Sequence, residues 1–326
     1  MTKVLITVDT ELSAGRQGRG LSARANFESS ILARCGDGDF GVGWQMDQLE
    51  AHQLKGVFFV DPMPALVHGE QIVADIVGPI VDRGHEVQLH IHTEWLQWAE
   101  RSPVGGRLGR NLADFSMEDQ IVLLGIARDL LTRAGAPRPN AFRAGNYGAD
   151  DNSIKALAVH GISWDTSVNA AYLNTDCRVS VDAGQISAIE RDGVVVLPVS
   201  GLHDVPGHFR PAQICAISAA EMRAALRHAA TSDHPAFVVV THSFEMLSRD
   251  RARPNHVVTA RFEKLCRLVS EHPLLECAGF FDLDAGDALR KQGKPERLPA
   301  SRARTAARLA EQMMANLRYE RRLTPA

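Results

Sequence analysis

Short apolar runs alternate with segments of helical period along most of this 326-residue chain. That alternation constrains the fold more than any other feature. Residues 3–8 (KVLITV), 57–60 (VFFV), 86–92, 141–142, 162–165, 194–199 (VVVLPV), 236–241 (AFVVVT) and 275–281 read as strands. Residues 44–54, 69–82, 117–133, 150–160, 218–230 and 257–271 read as helices between them, several with their own start and stop signals. Ser116 stands where an N-cap belongs and Gly135 where a helix stops, and Ser218 with Glu221 has the spacing of a capping box. Strands separated by helices imply a parallel sheet with crossover connections. Seven or eight such units in ~250 to 290 residues predict a β/α barrel, with an open doubly wound sheet as the runner-up.

Two regions depart from the pattern. Residues 13–43 form an insert with seven glycines directly after the first strand. Loops of such length are functional or disordered, and in a barrel this one lies over the carboxyl ends of the strands, where sites are built. A surface loop without function is an equal reading. The second region is residues 290–326, with ten basic and three acidic side chains. Its +7 leaves −10 on residues 1–289, although the whole chain carries only −3. The expectation is one acidic barrel over 1–289 and a basic helical extension over 290–326. Ala306, Leu309 or Ala310, Met313 and Leu317 form a helical stripe opposite the arginines of 302–322. That segment could meet an anionic membrane surface or a protein partner through 300–322. The plainer expectation is a terminal helix packed on the barrel with a solvated basic face.

Composition excludes several classes. The near-neutral total argues against a nucleic-acid binder. No run approaches the ~18 apolar residues of a membrane span. Five cysteines without a CxxC pair do not make a disulfide framework. With a first segment broken by Asp9 and Glu11, which does not read as a secretory signal, they point to the cytoplasm.

The chemistry-bearing residues fall at predicted strand ends. Asp9 and Glu11 close the first strand and, at period two, point the same way. Carboxylates there are costly unless paired or metal-bound. His90, His92 and Glu94, in Gln88-Leu-His-Ile-His-Thr-Glu-Trp95, face one side of another strand end. Two imidazoles with carboxylates form a ligand set for Zn²⁺ or a similar divalent ion. Arg143, in Phe142-Arg-Ala-Gly-Asn146-Tyr147, offers a charge clamp before a glycine turn, and His242 follows the run at 236–241. Trp164-Asp165 is a weaker cluster. Any one of these has an ordinary structural explanation, a helix cap or a satisfied histidine. Five in succession match the way barrel sites are assembled. No GxSxG, GxxxxGK[ST] or GxGxxG follows a strand.

The order of these motifs over residues 3–285 resembles the polysaccharide deacetylase family, the NodB-homology or family 4 carbohydrate esterases. The H-x-H-x-E-W and R-A-G-N-Y forms look like a divergent bacterial capsule-associated subgroup. The resemblance implies a distorted barrel of about seven β/α units and a divalent metal, zinc foremost, with Co²⁺, Ni²⁺ or Mn²⁺ as alternatives. Thr7-Val-Asp9-Thr-Glu11 stands at the family's T-F-D-D-G, which makes Asp9 the catalytic base. Thr10 occupies the place of the second aspartate, and Glu11 is its substitute as a metal ligand. In the family's H-[ST]-x-x-H, His90 matches the first histidine and Glu94 stands at the second, with His92 between; either could complete the metal site. Arg143 to Tyr147 resembles R-x-P-[YF], shifted by one at the aromatic. Asp165 resembles the fourth motif, and Thr241-His242 the fifth, which makes His242 the catalytic acid.

On this resemblance the expected activity is metal-assisted hydrolysis of an acyl group, N-acetyl first, on a sugar or polysaccharide precursor. Arg143 would orient Asp9, and Asp165 would tune His242. Asn146, Tyr147 and Trp95 would face the substrate or the oxyanion. A metal-free amidohydrolase of allantoinase-like type and a degenerate carbohydrate-binding relative are the alternatives. The expected partner is a sugar-containing molecule, nucleotide-linked or lipid-linked.

Overall fold

The computed structural model describes residues 1–232, 234–290 and 295–320. Its strands are β1 (Thr2–Thr10), the hairpin β2 (Arg34–Cys35) and β3 (Gly38–Asp39), β4 (Val57–Val60), β5 (Glu86–Ile91), β6 (Ala141–Ala144), β7 (Trp164–Asp165), β8 (Ile189–Arg191), β9 (Val194–Val196), the hairpin β10 (Gly201–Val205) and β11 (His208–Pro211), β12 (Ala236–His242) and β13 (Leu275–Cys277). One curled sheet runs in the order β12-β1-β4-β5-β6-β7-β9-β8, with β13 also on β1. Its pairs are parallel except β8 with β9. Val4, Leu5, Ile6 and Val8 of β1 have no exposed surface, as befits a parallel strand covered on both faces.

Helices Val42–Glu50, Gln71–Asp82, Met117–Arg133, Asp151–Val159, Ala219–Thr231 and His256–Glu271 follow the strands. Local chemistry sets their ends. The Ser116 hydroxyl accepts from Asp119 N, and Ser218 and Glu221 form the reciprocal capping box. The first helix after Gly69 starts at Gln71, because Gly69, at φ 83°, closes a separate short helix, Ala65–His68. The run at 275–281 stays extended only to Cys277. Beyond it Phe280 N and Phe281 N donate to the Glu86 carboxylate and the chain turns.

The sheet is a curled half-barrel with an irregular seam. Past β9, Val199 N donates to Val168 O and Ser200 N to Val238 O; farther on, Ile214 N donates to Val240 O. These single bonds, and not a regular ladder, connect the β7–β9 side to β12. The hairpin of β10 and β11 bulges out between them.

Residues 13–43 are not the long structureless loop their glycines suggest. They hold helices Ala14–Gln17 and Ala23–Ser30 and the β2–β3 hairpin. Asn26, fully buried, accepts from Ser13 N and donates to Ser13 O, and the Ser243 hydroxyl donates to Ser30 O at 2.6 Å. Polar anchors hold this segment, so it shows no apolar periodicity.

The C-terminal helix Arg302–Ala315 also differs from expectation. Its inward face is polar. Arg308, 3% exposed, donates to Asp204 and Glu221, Thr305 donates to Asp204 O, and Glu311 pairs with Arg261. Leu309, Met313 and Leu317 of the predicted stripe are 52%, 62% and 54% exposed. Ion pairs, which hydropathy patterns do not register, choose this orientation. Of the basic segment, residues 321–326 lie outside the described residues. No described helix is long and apolar enough to cross a membrane.

Candidate active site

Strand register brings the predicted residues together. β1 and β12 pair Asp9 with His242, and β5 and β6 pair His90 with Arg143. All four strands end at the same rim, around a cavity of about 200 Å³ lined by Asp9, Glu11, His90, His92, Tyr147 and His242 among others.

Arg143 spans the barrel interior, fully buried. Its Nη1 donates to Asp9 Oδ1 at 2.5 Å and Thr7 Oγ1 at 2.9 Å, and its guanidinium stacks over Phe59 at 4.4 Å. Nη2 has no partner. Asp9 Oδ2 lies 3.9 Å from His242 Nε2. Asp9 therefore stands between a fixed cation and an imidazole that can carry a proton.

Beside it, Glu11, His90 and His92 bring one donor atom each to within 4.8 Å of one another. Glu11 Oε2 is 3.2 Å from His90 Nε2 and 2.5 Å from His92 Nε2. The other ring nitrogens are taken: His90 Nδ1 donates to Arg143 O at 2.6 Å, and His92 Nδ1 to Glu94 Oε2 at 3.1 Å. Asn146 Nδ2 holds the second Glu94 oxygen at 3.0 Å. Both imidazoles thus aim Nε2 inward, with carboxylate or carbonyl orienters behind them. Burial opposes charge here, yet Glu11 is held well below the usual carboxylate range by His92 and His90. His92 is held above its usual value, again against burial, by Glu11 and Glu94. A proton shared by His92 and Glu11 fills the position a cation would take.

Gly145 has a steric reason. A Cβ there would lie 2.6 Å from Ile91 O and 2.8 Å from the His92 ring. Asn146 and Tyr147 follow at φ 55° and 58°, a strained double turn of the kind functional sites retain. It carries Asn146 to Glu94 and lays the Tyr147 ring on Tyr172, with centroids 5.2 Å apart.

Two predicted roles fall elsewhere. Asp165 does not reach His242: its carboxylate accepts from Ser167 N and Oγ, and burial pushes it up to about 6. Trp95 is fully buried against His68 and Trp98 and does not line the cavity. The partner of His242 is Glu245, whose Oε1 accepts from Nδ1 at 2.7 Å. Thr241 and Gln213 donate to the same carboxylate. Burial would lower His242, but Glu245, then Asp9 and Glu11, bring it up to about 9. The signal for Glu245 was its place three residues after His242 on the same turn. Arg110, Tyr172, Asp176 and Gln213 also line the cavity. They lie outside the strands of the large sheet, so no alternation pointed to them.

No protein-family profile matches the sequence, and no curated protein does. Solved structures do resemble the fold. A provisionally assigned polysaccharide deacetylase of Mycobacterium smegmatis aligns with TM-score 0.57 and 16% identity over 91% of this chain and 93% of that one. The 4-alpha-glucanotransferase of Thermococcus litoralis aligns at 0.52 and 11% over 92% of this chain and 42% of its own. A family 4 carbohydrate esterase of Streptomyces lividans, in complex with acetate, gives 0.42 and 10% over 92% and 98%. The fold is therefore the distorted β/α barrel of the NodB type.

Proposed function

We propose that this chain is a hydrolase of the polysaccharide deacetylase family that removes an acyl group, N-acetyl foremost, from a sugar or polysaccharide precursor. The observation that carries this reading is Asp9 set between Arg143 and His242, beside the inward-facing Glu11, His90 and His92. The fold shared with the Mycobacterium smegmatis protein supports it.

Two imidazole nitrogens and a carboxylate suit zinc best among the divalent ions. His90, His92 and Glu11 would hold the ion, and binding displaces the proton shared by His92 and Glu11. Glu94 is then the orienter of His92 and not a ligand. When bound, such an ion supplies Lewis acidity that polarises an acyl carbonyl and makes water a stronger acid.

The chain's own groups do the rest. Asp9, fixed by Arg143, accepts the proton of the attacking water. Attack forms the bond between water oxygen and acyl carbon, and collapse breaks the bond from that carbon to nitrogen. His242, kept protonated by Glu245, gives its proton to the leaving amine. The turn at Asn146 and Tyr147 brings backbone amides to the same rim for the developing oxyanion. Acetate release from a panel of N-acetylated sugars, with and without a chelator, tests the reading. Release that stops on chelation and returns with zinc supports it. Release that survives chelation would favour metal-free amidohydrolysis.

A further inference from the structure

Three arginines beside the site have no part in the fold's core or in the hydrolysis. Arg16 and Arg19 come from the turn that Ser13 caps, just after Glu11 leaves β1. Arg251 comes from the loop after β12, at φ 59°. Its guanidinium lies over the Phe244 ring at 4.1 Å, and that ring packs on His242 with centroids 5.5 Å apart. Arg251 Nη1 donates to Ser29 O, Ser29 Oγ and Ser30 Oγ, which ties the residue 13–43 segment to the His242 loop. The only other side-chain bond in the group among the described residues is from Arg19 Nε to Gly15 O.

None of the three has a carboxylate partner within ion-pair distance among the described residues. That is unusual for a chain with 39 acidic side chains against 36 basic ones. Their charges act on one another: burial, followed by Arg16, lowers Arg251 to about 10, with Arg19 adding to the effect and Glu11 opposing it. Arg16 is lowered as well, by burial and then by Arg19. Cations held together without counter-charge are stabilised by an anion that enters between them. A guanidinium fork matches the oxygens of a phosphate. A phosphate ester also carries more charge and more acceptors than one carboxylate.

We propose that Arg16, Arg19 and Arg251 bind a phosphate ester on the sugar whose acyl group the neighbouring site removes, which rests on the hydrolase reading for the identity of that sugar. The segment 13–43 then has a purpose: it carries two of the three cations to the rim, next to the His242 loop. The substrate is an acylated sugar phosphate or sugar diphosphate, and not an uncharged polymer.

Titration calorimetry on the full chain tests this with four ligands: N-acetylglucosamine, N-acetylglucosamine 1-phosphate, UDP-N-acetylglucosamine and N-acetylmuramic acid. The expected result is that a phosphate-bearing sugar binds at least about tenfold tighter than the neutral one and loses that advantage in added salt. In Arg16→Gln/Arg19→Gln the ratio should fall to within about twofold; both side chains are at least partly solvated and neither holds a buried contact, so the variant folds. Equal affinity for neutral and phosphorylated sugars overturns the proposal, as does an unchanged ratio in the double variant or a preference confined to the carboxylate of N-acetylmuramic acid. Capture on phosphatidylglycerol vesicles without affinity for either sugar phosphate assigns the arginines to a lipid headgroup and also overturns it. Acetate release by the unaltered protein from neutral N-acetylglucosamine oligomers is a separate readout. Release without phosphate preference defeats the phosphate site alone; phosphate preference without release defeats the hydrolase reading alone.

Discussion

Arg143 and Arg308 are both buried, one at the site and one under the C-terminal helix, and their surroundings differ. Arg308 lies between two carboxylates, Asp204 and Glu221, with the Gln312 side chain on Nη1. Its charge is met on every side. Arg143 has one carboxylate, Asp9, with Thr7, the Thr166 carbonyl and an aromatic face, and its Nη2 has no partner. The first arrangement fastens a helix. The second leaves Asp9 held by one oxygen, with the other facing His242 and the cavity. A buried arginine whose needs are incompletely met, beside a carboxylate on a cavity wall, belongs to a site that acts on something else.

Substitutions can break or sharpen that contrast. The largest effect belongs to Asp9→Asn, which should lower kcat by ~10²- to 10⁴-fold, the usual contribution of a general base, with metal content unchanged in mass spectrometry. His90→Ala should lose both the ion and turnover; a loaded and active variant would remove His90 from the ligand set. Arg143→Met should lower kcat and also destabilise the fold, whereas Arg308→Met should cost stability alone. Breaking a buried pair costs about 3 to 5 kcal/mol; because Asp204 keeps Arg210 and His208, the Arg308 figure should sit near the lower end. Urea unfolding read beside kcat separates the two arginines, and a fall in kcat for Arg308→Met would erase the contrast.

Glu245→Gln gives a smaller and more diagnostic effect. His242 acts as an acid while protonated, so turnover should fall as pH rises through about 9. Without the Glu245 carboxylate that alkaline limb should move to lower pH, and a limb that stays in place would remove Glu245 as the positioning residue. The raised value also bears on stability. The His242–Glu245 pair stabilises the fold fully below the unfolded imidazole value of about 6.5 and loses that contribution as pH rises through about 9. Glu94→Gln should be the mildest, weakening metal affinity by ~10- to 100-fold while the ion still binds at saturation.

Much of this was legible in the sequence, for definable reasons. Period-two alternation placed Asp9, His90 and His242 at the carboxyl ends of strands, and parallel pairing then brought those ends to one rim. The capping box at Ser218 and the cap at Ser116 follow local rules that tertiary contacts did not override. What escaped depends on irregular chain. Asp165 looked like the partner of His242 because it ends a strand, but its neighbour Ser167 satisfies it, and Glu245 reaches His242 within one turn. Trp95 sits one residue past the Glu94 orienter and turns into the core. The segment 13–43 is built on Asn26 and Ser30, and the C-terminal helix on Arg308. Each is a polar contact between residues far apart in sequence, and no hydropathy pattern shows such contacts.

The central claim is that Asp9 is the base of an acyl-transfer site with a metal ion beside it. The most direct measurement is acetate release from an N-acetylated sugar by zinc-loaded protein, unaltered and as Asp9→Asn. Release by the unaltered protein, and none above background by an equally loaded Asp9→Asn, is the predicted result. Equal release by both, or none from any acylated sugar by the fully loaded protein, would contradict the account.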